Sequence, residues 1–151
     1  MAIISDRDRQ TIREHLEANL TGQVEIIFFT ERPSPIIIPG RQECFTCEDT
    51  RQILEEVAGL SDKIRLTMHD LRQEGELASE HGIDRVPAFL LKGAARGRLR
   101  FFGMPSGYEF STLIADLVDV SRGTTGLSEE TLQYLASLNQ DVNIKVFVTP
   151  T

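Results

Sequence analysis

Seven consecutive residues, Val24-Glu25-Ile26-Ile27-Phe28-Phe29-Thr30, are apolar at nearly every position. A strand with one wet face alternates apolar and polar side chains; a run like this one suits a strand covered on both faces. Such a strand needs partners beside it and helices above and below it.

The rest of the chain supplies them. Ser5 reads as a helix N-cap, with Asp6 and Asp8 in the first turn, and Ile12, Leu16 and Leu20 recur at helical spacing before Thr21-Gly22. After the apolar strand, residues 31–43 read as a loop, broken by Pro33, Pro35, Pro39 and Gly40. Within it, Ile36-Ile37-Ile38 must pack on something or stay exposed. A helix is predicted from Cys44 to Ala58, with Ile53, Leu54 and Val57 facing inward. Ile64, Leu66 and Met68 alternate with polar residues as a second strand. Residues 74–81 read as a helix closed by Gly82. Strands at 88–92 and 98–102 flank a turn at 93–97, and a helix over 109–122 turns Phe110, Leu113, Ile114, Leu117 and Val118 inward before Gly123. The order is αβαβαββα. Strand–helix–strand at the front requires a parallel crossover, and the hairpin at the back is antiparallel. A mixed four-stranded sheet with helices on both faces satisfies both.

The chain divides at Gly123. Residues 1–123 read as one domain with an N-terminal helix, and 124–151 as a helix-strand appendix. Ser128 caps the appended helix, Glu129 and Glu130 lie in its first turn, and Leu132, Leu135 and Leu138 follow its inner face. Asn143-Ile144-Lys145-Val146-Phe147-Val148 reads as a plain strand before Thr149-Pro150-Thr151, like the first strand of a further unit. Its free edge invites pairing, either onto its own sheet or with a second copy, so a homodimer through this strand is expected.

The chain has 151 residues, enough for one self-sufficient core. No apolar run approaches the ~20 residues of a membrane helix, and the start lacks the basic flank and apolar core of a signal peptide. A cytoplasmic protein with no membrane partner is expected. The net charge of −7 offers no basic footprint for nucleic acid. Arg96, Arg98 and Arg100 read as the outward face of a hairpin strand.

Two cysteines occur, in Cys44-Phe45-Thr46-Cys47. Two cysteines cannot build a disulfide framework; this spacing reads as redox-active or metal-binding. At a helix start, unpaired N–H groups and the helix dipole favour a thiolate at Cys44, and Cys47 lies one turn along, within its reach. Cys44 would attack a substrate disulfide and Cys47 would resolve the mixed disulfide. A structural or sensing pair is the first alternative. A zinc site is the second, but His15, His69 and His81 do not pair at ligand spacing, so no metal site is expected. Glu43, Glu48 and Asp49 flank the pair; their charge opposes a thiolate, while Glu48 and Asp49 also favour a helix N-terminus. Val86-Pro87 before a strand marks an edge or a turn. Phe102-Gly103-Met104-Pro105-Ser106-Gly107 reads as a tight structural link into the next helix.

Taken together, Cys44-Phe45-Thr46-Cys47 before a helix and Val86-Pro87 before a hairpin resemble the thioredoxin superfamily. The closer resemblance is to the glutaredoxin-like protein disulfide oxidoreductases of archaea and bacteria, which hold two thioredoxin units in tandem. It is carried by Ile4-Ser5-Asp6, Ile83-Asp84-Arg85-Val86-Pro87-Ala88, Phe102-Gly103, Gly107-Tyr108-Glu109-Phe110, the run from Asp116 to Arg122, and the C-terminal residues. The resemblance implies a thioredoxin-like fold and a thiol–disulfide oxidoreductase without cofactor, acting on protein disulfides and drawing on a reductase or other electron donor. It implies that Pro87 is cis, faces the cysteines and keeps metals off, and that the Val86 backbone binds an extended substrate. Phe45 and Thr46 complete the expected substrate-contacting set; they replace the Pro-Tyr pair common in glutaredoxins. In the family a second Cys-x-x-Cys follows, so this chain reads as the N-terminal unit alone. Two other functions use the same fold: a non-catalytic scaffold or partner-binding unit, and an electron relay to a peroxidase system.

Overall fold

The computed structural model describes residues 3–33, 39 and 43–148. Its elements run α1 (Asp6–Asn19), β1 (Val24–Thr30), α2 (Cys47–Ala58), β2 (Ile64–Asp70), α3 (Gly75–His81), β3 (Ala88–Lys92), β4 (Leu99–Phe102), α4 (Tyr108–Arg122) and α5 (Glu129–Ala136). The four strands form one sheet in the order β2-β1-β3-β4. β1 pairs in parallel with β2, from Val24 opposite Ile64 to Thr30 opposite Asp70. On its other edge β1 pairs antiparallel with β3, Phe29 facing Ala88 and Glu25 facing Lys92. β3 and β4 close an antiparallel hairpin.

The apolar strand is therefore interior to the sheet, and its alternate residues feed two cores. Val24, Ile26 and Phe28 pack with Leu16 of α1, with Ile53, Leu54 and Val57 of α2, and with Leu113, Ile114 and Leu117 of α4. Ile27 and Phe29 pack on the other face with Ala78 of α3 and with Ile83, Ala88 and Leu90. Three helices thus cover one face and α3 the other. Phe28 and Phe29 have no solvent exposure.

The chain ends of the core are pinned by polar contacts. Ser5 caps α1 by accepting the Asp8 N–H. The Glu56 carboxylate of α2 accepts the N–H groups of Ile3 at 2.7 Å and Ile4 at 3.1 Å and pairs with Arg9 at 2.9 Å. Burial pushes this carboxyl up, but the two backbone donors and Arg9 outweigh it and hold it below its ordinary 4.5. At the far end, Thr21 bonds the buried Ser121 of α4 through both its N–H and its hydroxyl.

Several expectations are corrected. Arg96 and Arg98 lie before β4, not on it; Arg100 alone of the three is on the strand, where it donates to the Gly82 carbonyl at 3.1 Å. The turn is wider than the periodicity implied because Leu91 opposite Leu99 is the outermost ladder pair. Residues 143–148 form no strand, since no neighbouring strand offers them a ladder, and Ile144, Val146, Phe147 and Val148 are exposed. In α5 no residue is buried: Leu132, Leu135 and Leu138 are exposed, with no core of the described residues beneath them. The Ile36-Ile37-Ile38 stretch lies outside the described residues. Among the described residues no helix is long and apolar enough to cross a membrane.

Two stability outcomes follow from these contacts. Phe28→Ala leaves a cavity under three helices and lowers the unfolding free energy by ~3–5 kcal/mol, read from denaturant titration. The Glu56 clamp has a folded pKa below the unfolded one, so its stabilisation is present above about pH 4.5 and is lost as pH falls through the folded value. The stability gap between wild type and Glu56→Gln should accordingly narrow as pH is lowered from about 6 toward about 3, in urea titrations at each pH.

Candidate active site

β1 and β2 run parallel, so both end at the same edge of the sheet, at Thr30 and Asp70. β3 is antiparallel to them and begins at that edge with Ala88. Pro87, one residue earlier, lies beside the end of β1, and the Val86–Pro87 bond is cis. The Pro87 carbonyl accepts the Gly103 N–H at 2.8 Å. Gly103 has φ +108°, a backbone conformation that side chains disfavour, and so turns the chain from β4 back against the proline. Pro87 is buried and Val86 half-buried against the smaller core.

The loop after β1 brings the cysteines to the same edge. Cys44 and Cys47 are joined by a disulfide, with their Cα atoms 5.4 Å apart. α2 begins at Cys47, not at Cys44 as the sequence suggested, because the first carbonyl to accept a helical i+4 N–H is that of Thr46, from Thr50 at 2.9 Å. Residues 44–46 form a turn ahead of it. Cys47 is 3% exposed and Cys44 half-buried, while Phe45 between them is 87% exposed and Thr46 half-buried. The Thr46 side chain does not cap α2.

Beside the disulfide is a hollow of about 300 Å³, walled by Cys44, Cys47, Thr30, Met68, Asp70 and Arg51 among others. Its charges are paired. Arg51 holds Glu48 through two guanidinium contacts, one of them at 3.0 Å, and reaches Glu55 at 2.7 Å. The hydrogen bonds from Arg51 and then Gln52 keep the Glu48 carboxyl below its ordinary range, and the paired carboxylates push Arg51 up. The negative charge next to Cys47 thus has its counter-ion one helical turn away. Arg72 pairs with Glu31 at the start of the loop.

His69 touches the hollow, but its ring is held on the α3 side of the sheet. It lies 5.4 Å from the Phe29 ring, and its Nδ1 is 2.9 Å from the Glu74 carboxylate. That hydrogen bond holds the Glu74 carboxyl below its ordinary value. His81 lies on the same side, 6.0 Å from Phe29, with its pKa lowered by burial first and by Lys92 and Arg98 next. Both histidines therefore belong to the α3 layer, and α2 with the cysteines belongs to the opposite one. Among the described residues no group of three or more His, Cys, Asp or Glu could hold a metal ion.

The fold thus brings Cys44, Phe45, Thr46, Cys47, Val86 and Pro87 to one edge of the sheet. Sequence reasoning missed three neighbours. Arg51 was legible as the i+3 partner of Glu48. Thr50, fully buried, donates its hydroxyl to the Thr46 carbonyl at 2.7 Å and was legible as Thr-x-x-x-Thr. Arg85 lies 5.0 Å over the Phe102 ring, a contact made only once β4 pairs with β3.

A strand interior to a mixed sheet, a Cys-x-x-Cys disulfide ahead of the following helix and a cis proline before the hairpin make this a thioredoxin-fold domain. The structure is similar to a protein disulfide oxidoreductase from Aeropyrum pernix, with a TM-score of 0.72, 26% identity and coverage of 89% of this chain and 55% of that one. Its fold is also similar to that of the alkylhydroperoxide reductase AhpF from Enterococcus faecalis, with a TM-score of 0.71, 23% identity and coverage of 89% of this chain and 61% of that one. In sequence it is 30% identical over 135 residues to the corresponding alkyl hydroperoxide reductase protein of Xanthomonas campestris pv. phaseoli. That match spans 87% of this chain but 23% of the relative's length. No family model matches the chain.

The Arg51–Glu48 pair makes an electrostatic prediction. In reduced protein, Arg51→Gln removes a cation near the sulfurs and leaves Glu48 uncompensated, and both changes disfavour a thiolate. The alkylation midpoint of Cys44 should rise by about 0.2–0.7 pH unit, the equivalent of the ~0.3–1 kcal/mol of a surface charge at a helix terminus. A midpoint unchanged in iodoacetamide labelling would show that this pair is electrically silent toward the cysteines.

Proposed function

We propose that this chain is a thiol–disulfide oxidoreductase unit whose working group is the Cys44–Cys47 couple. The observation that carries this reading is a disulfide closed across the turn ahead of α2, with one sulfur residue half-buried and the other buried, at the sheet edge that also holds Val86 and Pro87. In the reducing direction the Cys44 thiolate attacks one sulfur of a substrate disulfide. A mixed disulfide forms, and the departing substrate sulfur takes up a proton. The Cys47 thiolate then attacks the Cys44 sulfur, releases the second substrate thiol and closes the disulfide, so two electrons have passed to the substrate. A dithiol donor or reductase returns them by the same exchange in reverse.

The supporting geometry extends to the substrate. Val86 lies one residue ahead of the proline, where its backbone is free of the β1–β3 ladder. An extended substrate segment lying there would run past Phe45, whose ring is in solvent. We assign substrate contact to Val86, Pro87, Phe45 and Thr46 on this basis. We assign the redox unit to residues 1–123 and treat 124–151 as a connecting appendix, a division supported by the exposure of every residue from 124 to 148. That exposed segment also supports a homodimer formed through it, and a cytoplasmic setting completes the proposal.

A second reading has its own support: the sequence likeness to an alkyl hydroperoxide reductase protein favours a relay that passes electrons to a peroxidase system. It uses the same sulfur exchange with a dedicated partner.

The test is turnover. Cys44→Ser should abolish reduction of an insulin disulfide by the dithiothreitol-loaded chain, and Cys47→Ser should accumulate a mixed disulfide through Cys44, seen by mass spectrometry. Full turnover by Cys44→Ser would sink the proposal. Slow insulin reduction with rapid exchange toward one peroxidase would favour the relay.

A further inference from the structure

Thr50 is one of two buried polar residues among those described, and it has no solvent exposure. Its hydroxyl donates to the Thr46 carbonyl at 2.7 Å, and its N–H donates to the same oxygen at 2.9 Å. That carbonyl belongs to the residue between Phe45 and Cys47, and its peptide group carries the Cys47 N–H on the other side. Two donors on one oxygen fix the plane of the Thr46–Cys47 peptide. Nothing else among the described residues caps this end of α2. The Thr46 side chain makes no cap bond, the Cys47 N–H reaches Cys44 only at 3.4 Å, and among the described residues the Glu48 and Asp49 N–H groups have no acceptor.

While the disulfide is closed, the covalent link alone holds the turn. Once it opens, the turn is free to swing unless something else fixes the peptide. We propose that Thr50 is a positioning residue for the dithiol: its hydroxyl locks the Thr46–Cys47 peptide so that the unpaired N–H groups at the start of α2 stay aimed at the Cys44 sulfur after reduction. The inference rests on the oxidoreductase reading and names a determinant of its poise. Donors held in place favour the thiolate and with it the reduced form, so losing the hydroxyl should make Cys44 less acidic and the couple more reducing.

The test is Thr50→Val, which keeps the shape and removes the donor, beside Thr50→Ser, which keeps the donor. In the valine variant the Cys44 alkylation midpoint should rise by about half a pH unit, and the equilibrium constant against glutathione should move on the order of threefold toward the disulfide. The serine variant should behave as wild type in both. Should the valine variant not fold, Thr50→Ala makes the same measurement in a helix-favouring background. In reduced wild type the Thr50 hydroxyl proton should also exchange slowly by NMR. A valine variant that melts lower yet keeps the wild-type midpoint and equilibrium constant would overturn the inference, as would rapid hydroxyl exchange. A wild-type Cys44 that titrates near the ~8.5 of a free thiol and turns over nothing would instead remove the oxidoreductase reading, and the positioning role with it.

Discussion

The burial of β1 on both faces is the constraint that the rest of the structure answers to. Phe28 and Phe29 point to opposite sides of the sheet, and neither meets water. Each aromatic ring removed from solvent contributes on the order of 1.5–3 kcal/mol, but only if apolar surface waits on both sides. That demand puts α1, α2 and α4 over Phe28 and α3 over Phe29. It also puts a strand on each edge of β1, because backbone groups buried beneath two helix layers have no water to bond.

The active-site edge is a by-product of that arrangement. A parallel β1–β2 pair brings two strand ends to one side, and the antiparallel β3 brings its start to the same side. The chain leaving β1 must return over the sheet through α2, so the cysteines ahead of that helix arrive beside the residue pair ahead of β3. Residues far apart in the chain become neighbours through the register of the sheet. Electrostatics follow the same geography: Glu48 and Arg51 settle their charges along α2, whereas His69 and Glu74 settle theirs in the α3 layer. The sheet separates the two pairs, so the histidines contribute packing and ion pairing to their own layer.

Much of this was legible in the residues. The order of elements followed from Ile, Leu, Val and Phe recurring at helical or strand spacing, which is a local property. Cys44 and Cys47 stood out because their spacing has few structural uses. Where the reading missed, the missing information was non-local. The segment from Asn143 to Val148 has a strand-like composition, but a strand exists only when a neighbour supplies the ladder, and among the described residues none does. Leu132 and Leu135 mark an amphipathic face, yet periodicity cannot say whether anything lies beneath it. The start of α2 slipped by three residues because helix onset is decided by which carbonyl first finds an i+4 donor, here Thr46 rather than Cys44.

The sequence by itself determined an α/β chain with its longest apolar strand inside the sheet, a paired-cysteine turn at the head of a helix, and a proline before the hairpin. These are consequences of side-chain periodicity, backbone restriction and cysteine spacing, all of which act over a few residues. Tertiary structure decided which end of each strand faces which, and hence that Cys44, Cys47, Val86 and Pro87 share one edge. It decided that Arg85 covers Phe102, that Cys47 is more buried than Cys44, and that both His69 and His81 belong to the layer away from α2. Those outcomes depend on strand register and on which helices cover which face, and burial and backbone pairing set these across the whole domain at once.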